Sequence, residues 1–283
     1  MNNKCTLLGL TWFKLFNQFN TSNIKTVVGR VARRMVAVSN SVDVVLLTKN
    51  SDRRLKDCLE SVYRNIPVAR LIAVDGYSTD KTLAILNQFN EKYHNVKIIM
   101  DKGNRATARQ KGIGDVATDW FLFVDSDVVL CNDWFKKAQK YISADVGAVW
   151  GTEIWSTIKS PATLKIFLRI TRKIFEVRGG THDTLIKTEL VKDIKIPQKL
   201  HVYEDAYIKD WIEHKGFRVI PCYVPFCIHY RPPNVWTWRG SIDLMAEALR
   251  LGDERLIGKL LAAYAFYSGY AVYEVALQSN HHR

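Results

Sequence analysis

Four apolar runs of strand length, each followed by a polar loop, constrain this chain more than any other feature; behind each of the first two loops the apolar residues recur at helical period. Val42 to Leu47 gives way to Thr48-Lys49-Asn50-Ser51-Asp52, after which Leu55, Cys58, Leu59 and Val62 recur at helical spacing. Leu71 to Val74 runs into Asp75-Gly76-Tyr77-Ser78-Thr79-Asp80, with Leu83, Leu86 and Phe89 behind it. Val96 to Met100 leads through Asp101-Lys102-Gly103-Asn104 into a helix that begins near Arg105. Strands alternating with helices imply a mostly parallel sheet with right-handed crossovers, which puts every one of these loops at the same sheet edge.

The fourth run, Trp120 to Val124, ends in Asp125-Ser126-Asp127. In an open α/β sheet, ligands bind beyond the carboxyl ends of the strands, so these acids stand where a site would be. Two carboxylates at that spacing can hold a hard divalent ion directly or through water and ribose, and such an ion neutralises a diphosphate. The competing explanation is that they cap a turn, a common place for Asp.

Taken in order, these loops resemble those of the family 2 glycosyltransferases of the GT-A fold, from about Val42 to about Tyr230. The carriers are Thr48-Lys49-Asn50-Ser51, Val74-Asp75-Gly76-Tyr77-Ser78-Thr79-Asp80, Ala108-Arg109-Gln110-Lys111-Gly112 and the D-S-D itself. Two positions depart from the usual family pattern: Gly76 stands where a second acid often sits, and Tyr77 where Gly is usual. Downstream, Tyr203-Glu204-Asp205 opens an amphipathic segment with Ile208, Trp211 and Ile212 on one face and Gly216 at its end, and looks like the family's E-D motif. An acidic first turn complementing the helix dipole would read the same way. Arg178-Gly179-Gly180-Thr181 looks like the glycine-containing acceptor loop, although a Gly pair alone signifies only a turn.

The resemblance implies an α/β GT-A architecture: a Rossmann-like, mostly parallel sheet flanked by helices, with N- and C-terminal helical additions. It implies that Thr48, Asn50 and Asp75 border the base and ribose of a UDP- or GDP-sugar and that Arg109 approaches the nucleotide or diphosphate. Asp125, Ser126 and Asp127 would bind ribose and Mn2+ or Mg2+, with His229 as a third ligand and Arg231 on the leaving diphosphate. Asp205 would take the proton from an acceptor hydroxyl on a glycan or polyprenyl lipid, with inversion at the sugar, and Glu204 would position Asp205 or its substrate. A lone His such as His229 is more often structural than ligating. The corresponding partition is a basic amphipathic extension over 1–40, a nucleotide-sugar half over 41–150, an acceptor half over 151–240 and C-terminal helices over 241–283.

Charge adds a separate expectation. Lys and Arg exceed Asp and Glu by 41 to 28, and the first forty residues contain six cationic side chains and no acid. Leu8, Trp12, Leu15, Phe16 and Phe19 share a helical face there, and Leu164, Phe167, Leu168, Ile174 and Phe175 do so opposite Lys165, Arg169, Arg172 and Lys173. Such faces suit either an anionic lipid surface or docking on the protein's own core. Lys14 interrupts the first apolar stretch, which argues against a cleaved signal. The apolar run from Leu260 to Tyr273 would span only about 21 Å as a helix, against ~30 Å of hydrocarbon. These features together suggest a cytoplasmic chain held peripherally at the inner face of a membrane. Five cysteines, odd in number and without zinc-site spacing, read as packing thiols.

Two other classes compete. A strand ending in D-x-D followed by Val128-Val129 also opens haloacid-dehalogenase-type phosphatases, but here three strand and helix units precede it and no later G-D-x-x-x-D follows. The cationic excess suggests nucleic-acid binding, yet no nucleic-acid motif accompanies it.

Overall fold

In the computed structural model the described residues are 41–156, 158, 163, 164, 168, 180–200, 203–230, 246 and 249. The N-terminal arm, most of the 161–175 segment, the 260–273 run, Arg178, Gly179 and Arg231 lie outside them.

The first half follows the sequence pattern closely. Strand β1 (Val42–Thr48) is followed by α1 (Asp52–Asn65), β2 (Val68–Asp75) by α2 (Thr82–Tyr93), and β3 (Val96–Met100) by α3 (Arg105–Asp115). Then come β4 (Trp120–Asp125), β5 (Val128–Leu130) and α4 (Trp134–Gln139). The second half supplies β6 (Val146–Trp155), β7 (Asp183–Lys187), α5 (Thr188–Val191), α6 (Glu204–His214) and β8 (Arg218–His229).

All eight strands join one sheet in the order β3-β2-β1-β4-β7-β6-β8-β5. Strands β1 to β4 are mutually parallel, as the βαβ alternation requires. Strand β7 then runs antiparallel to both β4 and β6, while β6 and β8 are parallel to each other and β5 is antiparallel to β8. The first four loops therefore share the carboxyl edge, and the β4–β5 turn that carries the D-S-D sits among them.

Alternation along the strands divides the core into two layers. Val42, Val44, Leu46, Leu71, Ala73, Leu122 and Val124 pack with Leu55, Leu59 and Val62 of α1, Leu86 and Phe89 of α2, and Trp134 of α4. On the opposite face Val45, Ile72, Val74, Phe121 and Phe123 pack with Ala106 and Ile113 of α3 and Ala206, Ile208 and Ile212 of α6. The strands are covered on both sides and so read as continuous apolar runs. Gly112 of α3 is needed for this contact, because a Cβ there would come within 2.4 Å of Val45 Cγ1.

The run Phe217 to Ile220, which stops at Pro221, predicts a short strand, and β8 is much longer. Pro221 and Pro225 interrupt the hydrophobic pattern and argue against a strand, but the ladder with β6 shifts register between Trp150 and Thr152, opposite that stretch. Cys58, Cys131, Cys222 and Cys227 are buried free thiols, as expected of packing cysteines, and burial raises their pKa values. Among the described residues no helix is long and apolar enough to cross a membrane.

Candidate active site

The loops after β1 and β2 are tied to one another. Asp75 is fully buried. Its Oδ2 accepts hydrogen bonds from Thr48 Oγ1 and Ser78 Oγ, at 2.8 and 2.7 Å, and its Oδ1 accepts from the Ser78 amide at 2.7 Å. Asn50 adds two links: its amide donates to Ser78 Oγ at 2.8 Å and its Oδ1 accepts from the Thr79 amide at 2.9 Å. Asp75 is expected to border the base and ribose; its engaged oxygens point into the loop and none of its surface is open, so it stands behind the wall of the site. Asp75 and Thr48 shape the wall; the exposed groups on that wall are Asn50, Lys49 and Tyr77. Tyr77 is 48% exposed, sits in the left-handed region at φ 59°, and has Lys102 Nζ 5.1 Å from its ring centroid. A non-Gly residue held at positive φ is uncommon and marks a constrained backbone.

Across the edge, Asp125 closes β4, and Ser126 and Asp127 form the turn into β5. Ser126 Oγ donates to Ser51 Oγ at 2.9 Å, joining this turn to the β1 loop. His229, the last residue of β8, lies opposite Val128 in the β5–β8 ladder. That register brings His229 Nε2 to 2.9 Å from Asp127 Oδ1. Donor atoms from Asp125, Asp127 and His229 all lie within 4.8 Å of one another. Two carboxylates and an imidazole suit a divalent ion of the Mn2+ or Mg2+ class, so the chemistry of the donor set fits the cation expected from sequence.

Arg109 of α3 is buried and bridges the two ends of the site. Its NH2 lies 3.4 Å from Asp125 Oδ1 and its Nε 3.3 Å from Glu204 Oε1, with the guanidinium carbon 5.0 Å from the Phe123 ring centroid. Burial opposes the ionised form of Asp125, but the charges of Arg109 and His229 outweigh it and hold the carboxyl below its usual range. Glu204 moves the other way: burial raises its pKa, against the pull of Arg109 and with the help of Asp205. Glu204 thus turns inward to Arg109, next to Asp205, and the engaged nitrogens of Arg109 face the carboxylates of Asp125 and Glu204.

Asp205, one residue on, is partly exposed at the start of α6. It lines a shallow recess with Gly180, Thr181 and Thr184 from the turn into β7, Trp150 of β6 and Lys209 of α6. A carboxylate beside a recess, adjacent to but distinct from the cation-ligand cluster, can accept a proton from a bound hydroxyl.

Several site residues were not read from the sequence. Glu153 of β6 lies 3.3 Å from His229 Nδ1, and its other oxygen 3.8 Å from His182 Nδ1. His182 Nε2 is 3.2 Å from Asp183 Oδ1, while Asp183 Oδ2 accepts from the Trp134 indole at 2.8 Å. Burial pushes Asp183 up to about 6. A Cβ on Gly151 would fall 2.0 Å from Asp183 Oδ2, so glycine there makes room for the acid. Arg54 stacks its guanidinium 4.1 Å over the Tyr230 ring beside the cluster.

Comparison with known proteins agrees with this geometry. The family model described as Glycosyl transferase family 2 matches residues 43–175. A poly(ribitol-phosphate) beta-glucosyltransferase of Bacillus spizizenii is 36% identical over 92 residues, covering 30% of this chain and 14% of that protein. Glycosyltransferase GlyA of Streptococcus pneumoniae is 27% identical over 110 residues, covering 37% of this chain and 15% of that protein. The chain thus matches only a minor part of the length of these relatives. Among solved structures, the mannosyltransferase PcManGT of Pyrobaculum calidifontis, in complex with GDP-Man and Mn2+, superposes with a TM-score of 0.62 at 17% identity, over 96% of this chain and 87% of that one. Residues 1–349 of TarS from S. aureus, in complex with UDP-GlcNAc, give 0.56 at 18% identity over 78% and 71%. These structures share the GT-A fold, and over residues 43–175 the chain matches glycosyl transferase family 2.

Proposed function

We propose that the protein transfers a sugar from a nucleotide diphosphate to an acceptor hydroxyl, with a divalent cation bound by Asp125, Asp127 and His229, and with inversion at the anomeric carbon. The observation that carries this reading is the convergence of those three side chains at the carboxyl edge of the sheet. Mn2+ or Mg2+ bound there would offset the charge that develops on the leaving diphosphate.

The remaining work falls to the chain's own residues. Asn50, Lys49 and Tyr77 border the donor on the wall that Asp75 and Thr48 hold in place, and Ser126 faces it from the opposite turn. Arg109 fixes the orientation of Asp125 from behind. Asp205 accepts the acceptor proton as the hydroxyl attacks from the face opposite the leaving group. Residues 41–150 then serve the donor and 151–240 the acceptor, and Arg231, two residues beyond His229, is the candidate contact for the diphosphate.

PcManGT and TarS were solved with different nucleotide sugars, so either a GDP- or a UDP-sugar remains a candidate donor. A glycan or a lipid-linked glycan is the proposed acceptor. The acid-free arm over 1–40 supports peripheral attachment to anionic lipid at a cytoplasmic membrane face.

Isothermal titration of UDP- and GDP-sugars, with and without Mn2+, tests the reading on the wild type and on D127N. Cation-dependent binding of at least one donor is expected, and its loss in D127N. Donor binding that ignores both Mn2+ and D127N would overturn the cation role, and no binding of any nucleotide sugar would overturn the function.

A further inference from the structure

Glu153 is a buried acid in an otherwise apolar strand. The first nine residues of β6 are all buried, and Glu153 itself is 6% exposed. Removing a carboxylate from water costs several kcal/mol unless charged or hydrogen-bonding partners compensate. The partners are specific. The Trp155 indole N–H donates to Oε1 at 2.6 Å, and the same oxygen lies 3.3 Å from His229 Nδ1.

The ladder explains why they meet. In the parallel β6–β8 pairing Glu153 lies beside Cys227 and Trp155 beside His229. Residues two apart on a strand share a face, so Glu153, Trp155 and His229 project to the same side. His229 is thereby held between two carboxylates, the buried Glu153 at Nδ1 and the partly exposed Asp127 at Nε2, 2.9 Å away.

We propose that Glu153 is a positioning residue for the cation site. It receives the Nδ1 proton of His229 and so fixes the ring with Nε2 turned toward Asp127 and Asp125. An imidazole that needed only to pair with Asp127 would not require a second acid buried behind it. Trp155 in turn pins Glu153, so the carboxylate cannot swing forward into the cluster. Acids that orient a ligating His from behind act on metal affinity, where their loss commonly costs 10–100-fold. The inference rests on the reading of Asp125, Asp127 and His229 as a cation site.

The test is Mn2+ affinity, read from the EPR signal of free Mn2+ in the presence of saturating UDP and, separately, GDP. Wild type, E153Q, E153L and W155F are compared in the full chain, with thermal melts alongside. In E153L the Mn2+ dissociation constant should rise by about tenfold or more. Gln keeps an oxygen that can accept the Nδ1 proton, so E153Q should be partly rescued, at about threefold weaker than wild type. W155F releases Glu153 without emptying the core and should show a similar mild weakening, which keeps the inference testable should E153L fail to fold. A purely structural role would lower melting temperatures and leave Mn2+ affinity equal across the folded variants, which would overturn the proposal. Absence of Mn2+ binding in the wild type with either nucleotide is a distinct result, because it removes the cation site itself and overturns this inference together with the cation role in the proposed function.

Discussion

Arg109 Nε lies 3.3 Å from Glu204 Oε1 although 95 residues separate them in sequence. Both side chains are about 4% exposed, and Arg109 NH1 and Glu204 Oε2 have no hydrogen-bond partner among the described residues. A charge on Glu204 is therefore tolerable mainly because Arg109 is present, while Arg109 is held between Glu204 and Asp125.

Removing one partner should cost more than removing both. R109M strands a buried carboxylate and should destabilise the fold by about 3 kcal/mol, the scale for breaking a buried pair. Adding E204L to it should recover part of that loss. Urea denaturation of the two single variants and the double variant gives the coupling energy directly. Costs that simply sum would show that the contact contributes nothing.

Asp205 differs from its neighbour in exposure, and that difference separates chemistry from folding. D205N is nearly isosteric but cannot accept a proton at neutral pH. Turnover should fall by ~10²-fold or more while donor affinity and melting temperature stay close to wild type. Near-normal turnover would move the base elsewhere or point to an acceptor that arrives already ionised.

Asp183 should make stability depend on pH. Burial pushes its pKa to about 6, above the value near 3.9 expected when unfolded. The native state then holds the proton more tightly than the unfolded chain, so this group's contribution is complete below about pH 4 and declines as pH rises through about 6. Asn keeps a carbonyl oxygen for the Trp134 indole and carries no charge. Relative to wild type, D183N should gain stability between pH 4 and pH 6.5, by up to about 3 kcal/mol. Melting curves across that range decide it, and a flat difference would refute it.

The basic arm can be tested separately from catalysis. Full-length protein should float with anionic vesicles at low salt and less so as salt rises, because each cationic residue near such a surface is worth ~1 kcal/mol and is screened over ~10 Å at 0.1 M. A variant lacking residues 1–40 should float less. If neither form floats at low salt, the cationic stripes are faces that dock on the protein.

Much of the donor side was legible in the sequence. Strands β1, β2 and β4 are apolar runs because both their faces are covered, and each ends at a polar loop, so their order and the place of the D-S-D could be read directly, although β2 begins three residues before the expected Leu71. The roles of Asp75 and Glu204 could not. A motif gives the position of a carboxylate but not the direction in which it turns, and here both face inward. Glu153, His182 and Asp183 were missed for another reason: Glu153 is a lone acid in a buried strand, His182 and Asp183 belong to a short polar run that opens another, and only the pairing of β6 with β7 and β8 brings them together. The one available signal was an acid inside the apolar Val146 to Trp155 stretch. Strand β8 was foreshortened because Pro221 and Pro225 mask its continuity.

The position of β7 determines how independent the two halves can be. This strand comes from the proposed acceptor half, yet Asp183 to Lys187 pairs with Val124 to Trp120 of β4 in the proposed donor half. A fragment ending near residue 150 would leave β4 with an unpaired, apolar edge, the kind of surface that recruits other chains. The proposed donor and acceptor regions therefore share one sheet and are not interchangeable cassettes. A change of acceptor specificity by recombination would have to keep the β4–β7 seam intact, and the loops between strands are the parts free to vary.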